Sequence, residues 1–163
     1  MSSLEYSREL HDQVTRFIYR EARLQDEHHY AEWEALWSDD GVYWVPANGE
    51  GEDPEREMSI IYDNRSRIAL RVRQLMSGRR YAQQPVSRLR RLISNIEIVE
   101  VTDETLSVAC NALVFESNAR GETLWAARSH YRLQRATDHL LMSLKKVVLV
   151  NNDRALFTLA FLI

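Results

Sequence analysis

At 163 residues, 45% hydrophobic and 28% charged, the chain is long enough to bury a core and too apolar to be disordered. No apolar run approaches the ~20 residues of a membrane span, and the first residues show no basic region followed by an apolar stretch. Cys110 is the only cysteine, which excludes an internal disulfide and fits a reducing compartment, so a soluble, cytoplasmic single domain over residues 1–163 is expected. The net charge of −3 is unevenly spread: residues 1–57 hold 15 acidic and 5 basic side chains, whereas residues 58–91 hold nine arginines against Asp63 alone. An arginine-rich middle can contact nucleic acid or pair with the acidic first third, within the chain or across subunits. Only Tyr81 lies between Arg65 and Arg91, so the interleaved aromatics of a single-strand binder are missing and no nucleic-acid partner is expected.

In chain order, helices come first, over about 4–37 and 63–77. Leu10, Val14, Phe17, Ile18 and Ala22 recur at helical spacing, with Ser3 as a candidate cap. Tyr30, Trp33 and Trp37 mark a second helix, stopped by Ser38-Asp39-Asp40-Gly41, where Asp39 and Asp40 end the helix. A strand Val42-Tyr43-Trp44-Val45 then runs to Pro46. Residues 47–57 are polar and glycine-bearing and read as a loop. Asp63 is placed as the N-cap of a third helix whose stripe is Ile68, Val72, Leu75 and Met76, closed by Gly78.

From about residue 87 to 150 the period changes to two. Leu106, Val108, Cys110, Ala112 and Val114 share one face of a strand, and Trp125, Ala127, Tyr131 and Leu133 one face of the next. Leu140, Met142, Leu144, Val148 and Val150 are assigned together on the last strand. Thr102-Asp103-Glu104, Asn118-Ala119-Arg120-Gly121 and Thr137-Asp138 are short enough for hairpins. The phase slips between Ile96, Ile98 and Val99, which suggests a bulge. Strands this long must twist and curl, so the expected fold is α+β: a curled antiparallel sheet with the N-terminal helices packed in its concave face.

Several stretches are similar to one family. They are Phe17-Ile18-Tyr19-Arg20-Glu21-Ala22-Arg23-Leu24, then Trp33 with Tyr43-Trp44-Val45-Pro46, and Met58-Ser59-Ile60-Ile61-Tyr62-Asp63-Asn64-Arg65. Arg71-Val72 before Leu75, and Lys145-Lys146-Val147-Val148-Leu149-Val150-Asn151-Asn152-Asp153, follow in the same order. The chain resembles the small (beta) subunit of bacterial aromatic-ring-hydroxylating, Rieske-type dioxygenases. The resemblance implies the cystatin-like cone fold shared with nuclear transport factor 2. It also implies a catalytic alpha subunit as partner in an alpha3-beta3 hexamer built on a self-trimer. That alpha subunit would carry the Rieske 2Fe-2S cluster and mononuclear iron, fed indirectly by a ferredoxin and reductase. It would dihydroxylate an aromatic ring with O2 and NAD(P)H-derived electrons, the beta subunit being mainly structural.

The residues agree that this chain holds no such cofactor. A Rieske cluster takes two cysteines and two histidines, and a mononuclear non-haem iron takes two histidines and a carboxylate. The histidines are His11, His28, His29, His130 and His139, and adjacent His28 and His29 point apart on a helix rather than forming an i, i+4 pair. No catalytic, cofactor-binding or metal-binding residue is therefore assigned. Tyr43, Trp44, Trp125 and Tyr131, with Tyr62 and Asn111, are placed in the cone interior, where no carboxylate or histidine shares the apolar parity. Arg128, His130, Arg132 and Gln134 form the opposite face, a candidate subunit interface. Ile93, Val99, Val101, Leu113, Phe115, Leu141, Val147 and Leu149 are taken as apolar residues on the second faces of neighbouring strands. The alternative is a free-standing cone-fold isomerase, dehydratase or hydrolase acting on a small apolar molecule in its own pocket.

Overall fold

A serine does cap the first helix, but it is Ser7. In the computed structural model, which describes residues 7–77, 86–154 and 159–163, the Ser7 hydroxyl accepts from the Leu10 N–H at 3.0 Å. Helix α1 then runs Arg8–Asp26. Ser3 and Gly78 lie outside the described residues. The predicted stripe is buried at Leu10, Val14, Ile18 and Ala22, and it continues through Glu21, Leu24 and Gln25. His28 reverses the chain at a positive φ of 57°, leading into the short helix α2, Tyr30–Glu34.

The second helix ends before Trp37, which is a correction. Leu36 O accepts from Met142 N at 2.8 Å, and the Ser38 hydroxyl donates to Met142 O at 3.0 Å, so the sheet captures this stretch. Strand β1 is therefore Trp37–Pro46, with an irregular register between Trp37 and Val42. Asp39 and Asp40 do not stop a helix; both are exposed on this strand, and Asp40 accepts from Gln134. Strand β2, Ser59–Asp63, was not foreseen, because Ile60-Ile61 carries no period in so short a run. Asp63 ends β2 and pairs with Arg71 at 2.6 Å, while the Asn64 side chain caps the next helix by accepting from Arg67 N at 3.0 Å. Helix α3, Arg65–Ser77, buries Ile68, Val72 and Leu75, but Met76 is 60% exposed and off the stripe.

Strands β3 (Arg88–Val101), β4 (Thr105–Asn118), β5 (Gly121–Arg135) and β6 (Leu140–Leu149) complete one six-stranded sheet of order β2-β1-β6-β5-β4-β3. All neighbours are antiparallel except β1 and β6, which run parallel. The curled α+β fold with N-terminal helices is as expected, with that one parallel pairing added. Strand β3 shifts register twice, between Ser94 and Glu97, where Asn95 takes a φ of 55°, and between Ile98 and Glu100, within the stretch where the phase slip is expected. A further irregularity reverses the parity of β6. Leu133 faces Met142 and Arg132 faces Leu144, leaving Ser143 as the extra residue.

This slip changes which residues face inward. Lys145, Val147 and Leu149 lie opposite Tyr131, Ser129 and Ala127 and are buried, whereas Val150 is 75% exposed. Val147 and Leu149 are thus core residues rather than second-face residues, and Ile93 and Val101 also pack against the core. Val99, Leu113 and Phe115 do remain exposed, together with Leu92 and Leu124.

Candidate functional site

The inside of the cone is not purely apolar. Val14, Ile18, Glu21 and Gln25 follow one another at spacings of four, three and four on α1, so a carboxylate and an amide join the buried stripe. Glu21 is 1% exposed. Its Oε1 accepts from Tyr131 OH at 2.8 Å and from Lys145 Nζ at 2.7 Å, and its Oε2 accepts from Trp33 Nε1 at 2.9 Å. Lys145, on β6, is 2% exposed and also reaches Gln25 Oε1 at 3.3 Å and the Tyr131 ring face. Beside this pair, Arg91 on β3 donates to Asp26 at 2.7 Å through Nε, to Gln25 Oε1 at 2.8 Å, and to Leu162 O at 3.1 Å.

Taking two charges out of water costs several kcal/mol per ion, and close pairing with hydrogen bonds offsets it. Burial lowers the Lys145 pKa while Glu21 raises it again, and burial is the larger effect. Burial likewise raises Tyr131, with the Glu21 carboxylate adding to the rise. Both oxygens of Glu21 are thus occupied by protein donors, and the carboxylate is not free to act as a base on a substrate. The space left in this part of the interior, lined by Glu21, Gln25, Arg91, Ser129, Tyr131 and Lys145, is about 10 Å³, roughly one water. Below α2, Trp33, Trp37 and Tyr43 stack edge-on or tilted with ring centroids 5.6–6.0 Å apart, and Tyr43 OH donates to Ile163 O at 2.6 Å. Among the described residues, side chains fill this part of the cone.

Of the residues placed inside from sequence, Tyr43, Trp125 and Tyr131 are buried in this core. Trp44 is not among them: it lies on the other face of β1, opposite Lys146, whose Nζ sits 4.6 Å from its ring. Tyr62 packs on Trp44 on that outer side and donates to Glu55. Asn111 is also outward, opposite Arg128, from which it accepts at 3.0 Å. The statement that no carboxylate shares the interior is overturned by Glu21 and by Glu116, which accepts from Trp125 Nε1 and Ser87. Glu21 was legible from its stripe position; Lys145 was hidden by the slip in β6.

The outer face carries Arg128, His130, Arg132 and Gln134 on β5, as their parity predicts. Arg128 also lies 3.9 Å from Glu97, and Gln134 bonds Asp40. The Arg132 guanidinium has no partner among the described residues. Burial, with Lys146 and Arg128 beside it, lowers the His130 pKa and favours the neutral ring. A hollow of about 420 Å³ opens between Arg132, Gln134, Trp44 and Tyr62.

The donor set does not suit a Rieske cluster or a mononuclear iron. Burial pushes the Cys110 thiol up to about 11, so it stays protonated and is a poor metal ligand. Among the described residues no three His, Cys, Asp or Glu side chains converge on a metal-sized site. His28 bonds the Ser87 carbonyl and Tyr30 OH, His29 sits near Glu27 and Glu32, and His139 pairs with Asp138. Among the described residues no helix is long and apolar enough to cross a membrane.

Comparison with known proteins bears on what this cone is. The family model for the ring hydroxylating beta subunit matches residues 20–153. Over 157 residues the chain is 32% identical to the 2-halobenzoate 1,2-dioxygenase small subunit of Burkholderia cepacia, with 93% of each chain covered. The beta subunit of benzoate 1,2-dioxygenase from Burkholderia mallei superposes with a TM-score of 0.72 at 24% identity, over 90% of this chain and 95% of that one. A structure of naphthalene 1,2-dioxygenase with indole bound aligns with a TM-score of 0.81 at 17% identity, over 96% and 86% of the two chains. The structures share the fold, and the sequence matches carry the relationship: this chain belongs to the ring hydroxylating beta subunit family.

Proposed function

We propose that this chain is the small, structural subunit of an aromatic-ring-hydroxylating dioxygenase, required for assembly of a catalytic alpha subunit. In this reading the alpha subunit dihydroxylates an aromatic ring with O2, using electrons that reach it from NAD(P)H through a ferredoxin and reductase. The Rieske 2Fe-2S cluster and the mononuclear iron belong to that partner. The observation that carries the reading is the filled cone: Glu21 and Lys145 satisfy each other, and about 10 Å³ remains beside them. A free-standing cone-fold isomerase, dehydratase or hydrolase needs an acid or base facing a substrate-sized space, and among the described residues Glu21 faces only this small one.

The outer face is the proposed assembly surface. Arg128, His130, Arg132 and Gln134 pack there against neighbouring subunits in an alpha3-beta3 hexamer. The exposed Leu92, Leu113, Phe115 and Leu124 support this, because Leu92 lies beside Leu113 and Phe115 beside Leu124 in the register, giving apolar rows on one face. The unpartnered Arg132 adds a fork suited to a carboxylate across a subunit boundary. Co-expression with the large subunit, followed by light scattering and iron analysis, tests the reading. A hexamer whose iron stays with the large subunit is expected. A monomer at micromolar concentration that still supports its partner's activity contradicts the assembly role.

A further inference from the structure

One buried polar group facing the small space inside the cone has no protein partner, and a serine lines the space beside it. Gln25 is 1% exposed, and its Oε1 is claimed by Arg91 at 2.8 Å and Lys145 at 3.3 Å. Turning the amide over would aim its N–H groups at two cations, so the orientation is fixed by charge. Its Nε2 is thereby left buried with nothing to donate to. Ser129, on β5, is 3% exposed. Both side chains line the same space of about 10 Å³.

Size and charge define the occupant. That volume is roughly one water molecule and too little for chloride or any organic molecule. Glu21 and Asp26 balance Lys145 and Arg91 around it, so no net charge calls for an ion. An orphaned amide donor beside a serine hydroxyl, which can both donate and accept, is the setting in which a buried water is retained. We propose that the cone interior binds a single water, which accepts from Gln25 Nε2 and hydrogen-bonds Ser129 Oγ. It links α1 to β5 and completes the network around the Glu21–Lys145 pair.

A high-resolution crystal structure, of the chain alone or in its complex, tests this directly. A solvent peak at hydrogen-bonding distance, about 2.7–3.2 Å, from both Gln25 Nε2 and Ser129 Oγ is expected. An empty cavity overturns the proposal, and so does a Gln25 Nε2 bonded directly to a protein acceptor. Gln25→Met also strips an acceptor from Arg91 and Lys145 and can unfold the chain, so Ser129→Ala is the cleaner variant. It should cut the occupancy of the peak at least twofold with the ion pairs intact; unchanged occupancy would show that Ser129 does not hold the water.

Discussion

The two faces of the long sheet use charge in opposite ways. On the inner face Glu21, Lys145, Arg91 and Asp26 are nearly excluded from solvent, and each finds its partner within the chain at 2.7 Å. On the outer face Arg132 is exposed and unpartnered among the described residues, and Arg128 shares only a long 3.9 Å contact with Glu97. Charges buried without full pairing would unfold the domain, so the inner set is closed on itself. Charges that water can solvate carry no such demand, and they stay available to another surface. In this chain polar chemistry inside the cone serves stability, and polar chemistry outside it is the part open to a partner.

The sharpest way to break this contrast is to open the inner pair. Glu21→Ala should cost about 3–5 kcal/mol, because it leaves the Lys145 charge buried alone and orphans Tyr131 OH and Trp33 Nε1; urea unfolding measures it. Glu21→Met with Lys145→Met should recover the part due to the unpaired Lys145 charge, since it removes that desolvation penalty, while Tyr131 OH and Trp33 Nε1 stay without their acceptor. A double variant no better than the single one would mean that the pair does not govern the inner face.

A smaller contrast lies within helix α3. Val72→Asp, at a buried position, should lower stability by about 3 kcal/mol. Met76→Asp, on the solvent side of the same helix, should change it by less than about 0.5 kcal/mol. Equal melting temperatures for the two variants would overturn the placement of that helix.

The pH response sharpens the picture further. Burial raises the Cys110 pKa from 9.0 to about 11. The unfolded chain therefore releases this proton first, and stability falls as pH rises through roughly 9 to 11. Tyr131 is raised above 10 and acts in the same sense from there upward, whereas Lys145 is lowered and acts in the opposite sense. Cys110→Ala should lower stability at neutral pH and flatten its decline between pH 9 and 11, as unfolding midpoints across that range would show. The smallest effect on the fold is expected outside: Arg132→Glu should shift stability by less than about 0.5 kcal/mol while weakening assembly, read by light scattering.

Much of this architecture is written in the chain. The alternation of Leu106 to Val114 and of Trp125 to Leu133 sorts two strands onto the correct faces, because apolar and polar residues take turns there. The stripe of α1 is equally plain. Where every residue is apolar the pattern is silent: Val147-Val148-Leu149-Val150 reads the same in either parity, so the extra Ser143 and the inward turn of Lys145 leave no trace in it. Trp37 has a similar ambiguity, since its spacing from Trp33 suits a helix while it lies in register with Met142 of β6, whose N–H bonds the preceding Leu36 carbonyl. Trp44 was placed inside by its aromatic character, though its neighbour Tyr43 already occupied the inward position. Glu21 shows the reverse error, a charged residue set aside although its spacing put it on the buried stripe.

The central claim is that the inner network holds the cone together and performs no chemistry. Activity of the complex with the large subunit, normalised to iron, tests it most directly when wild type is compared with the Glu21→Met/Lys145→Met double variant. The account predicts the same hexamer and a kcat within twofold of wild type. A complex that assembles normally but loses kcat by tenfold or more would contradict it.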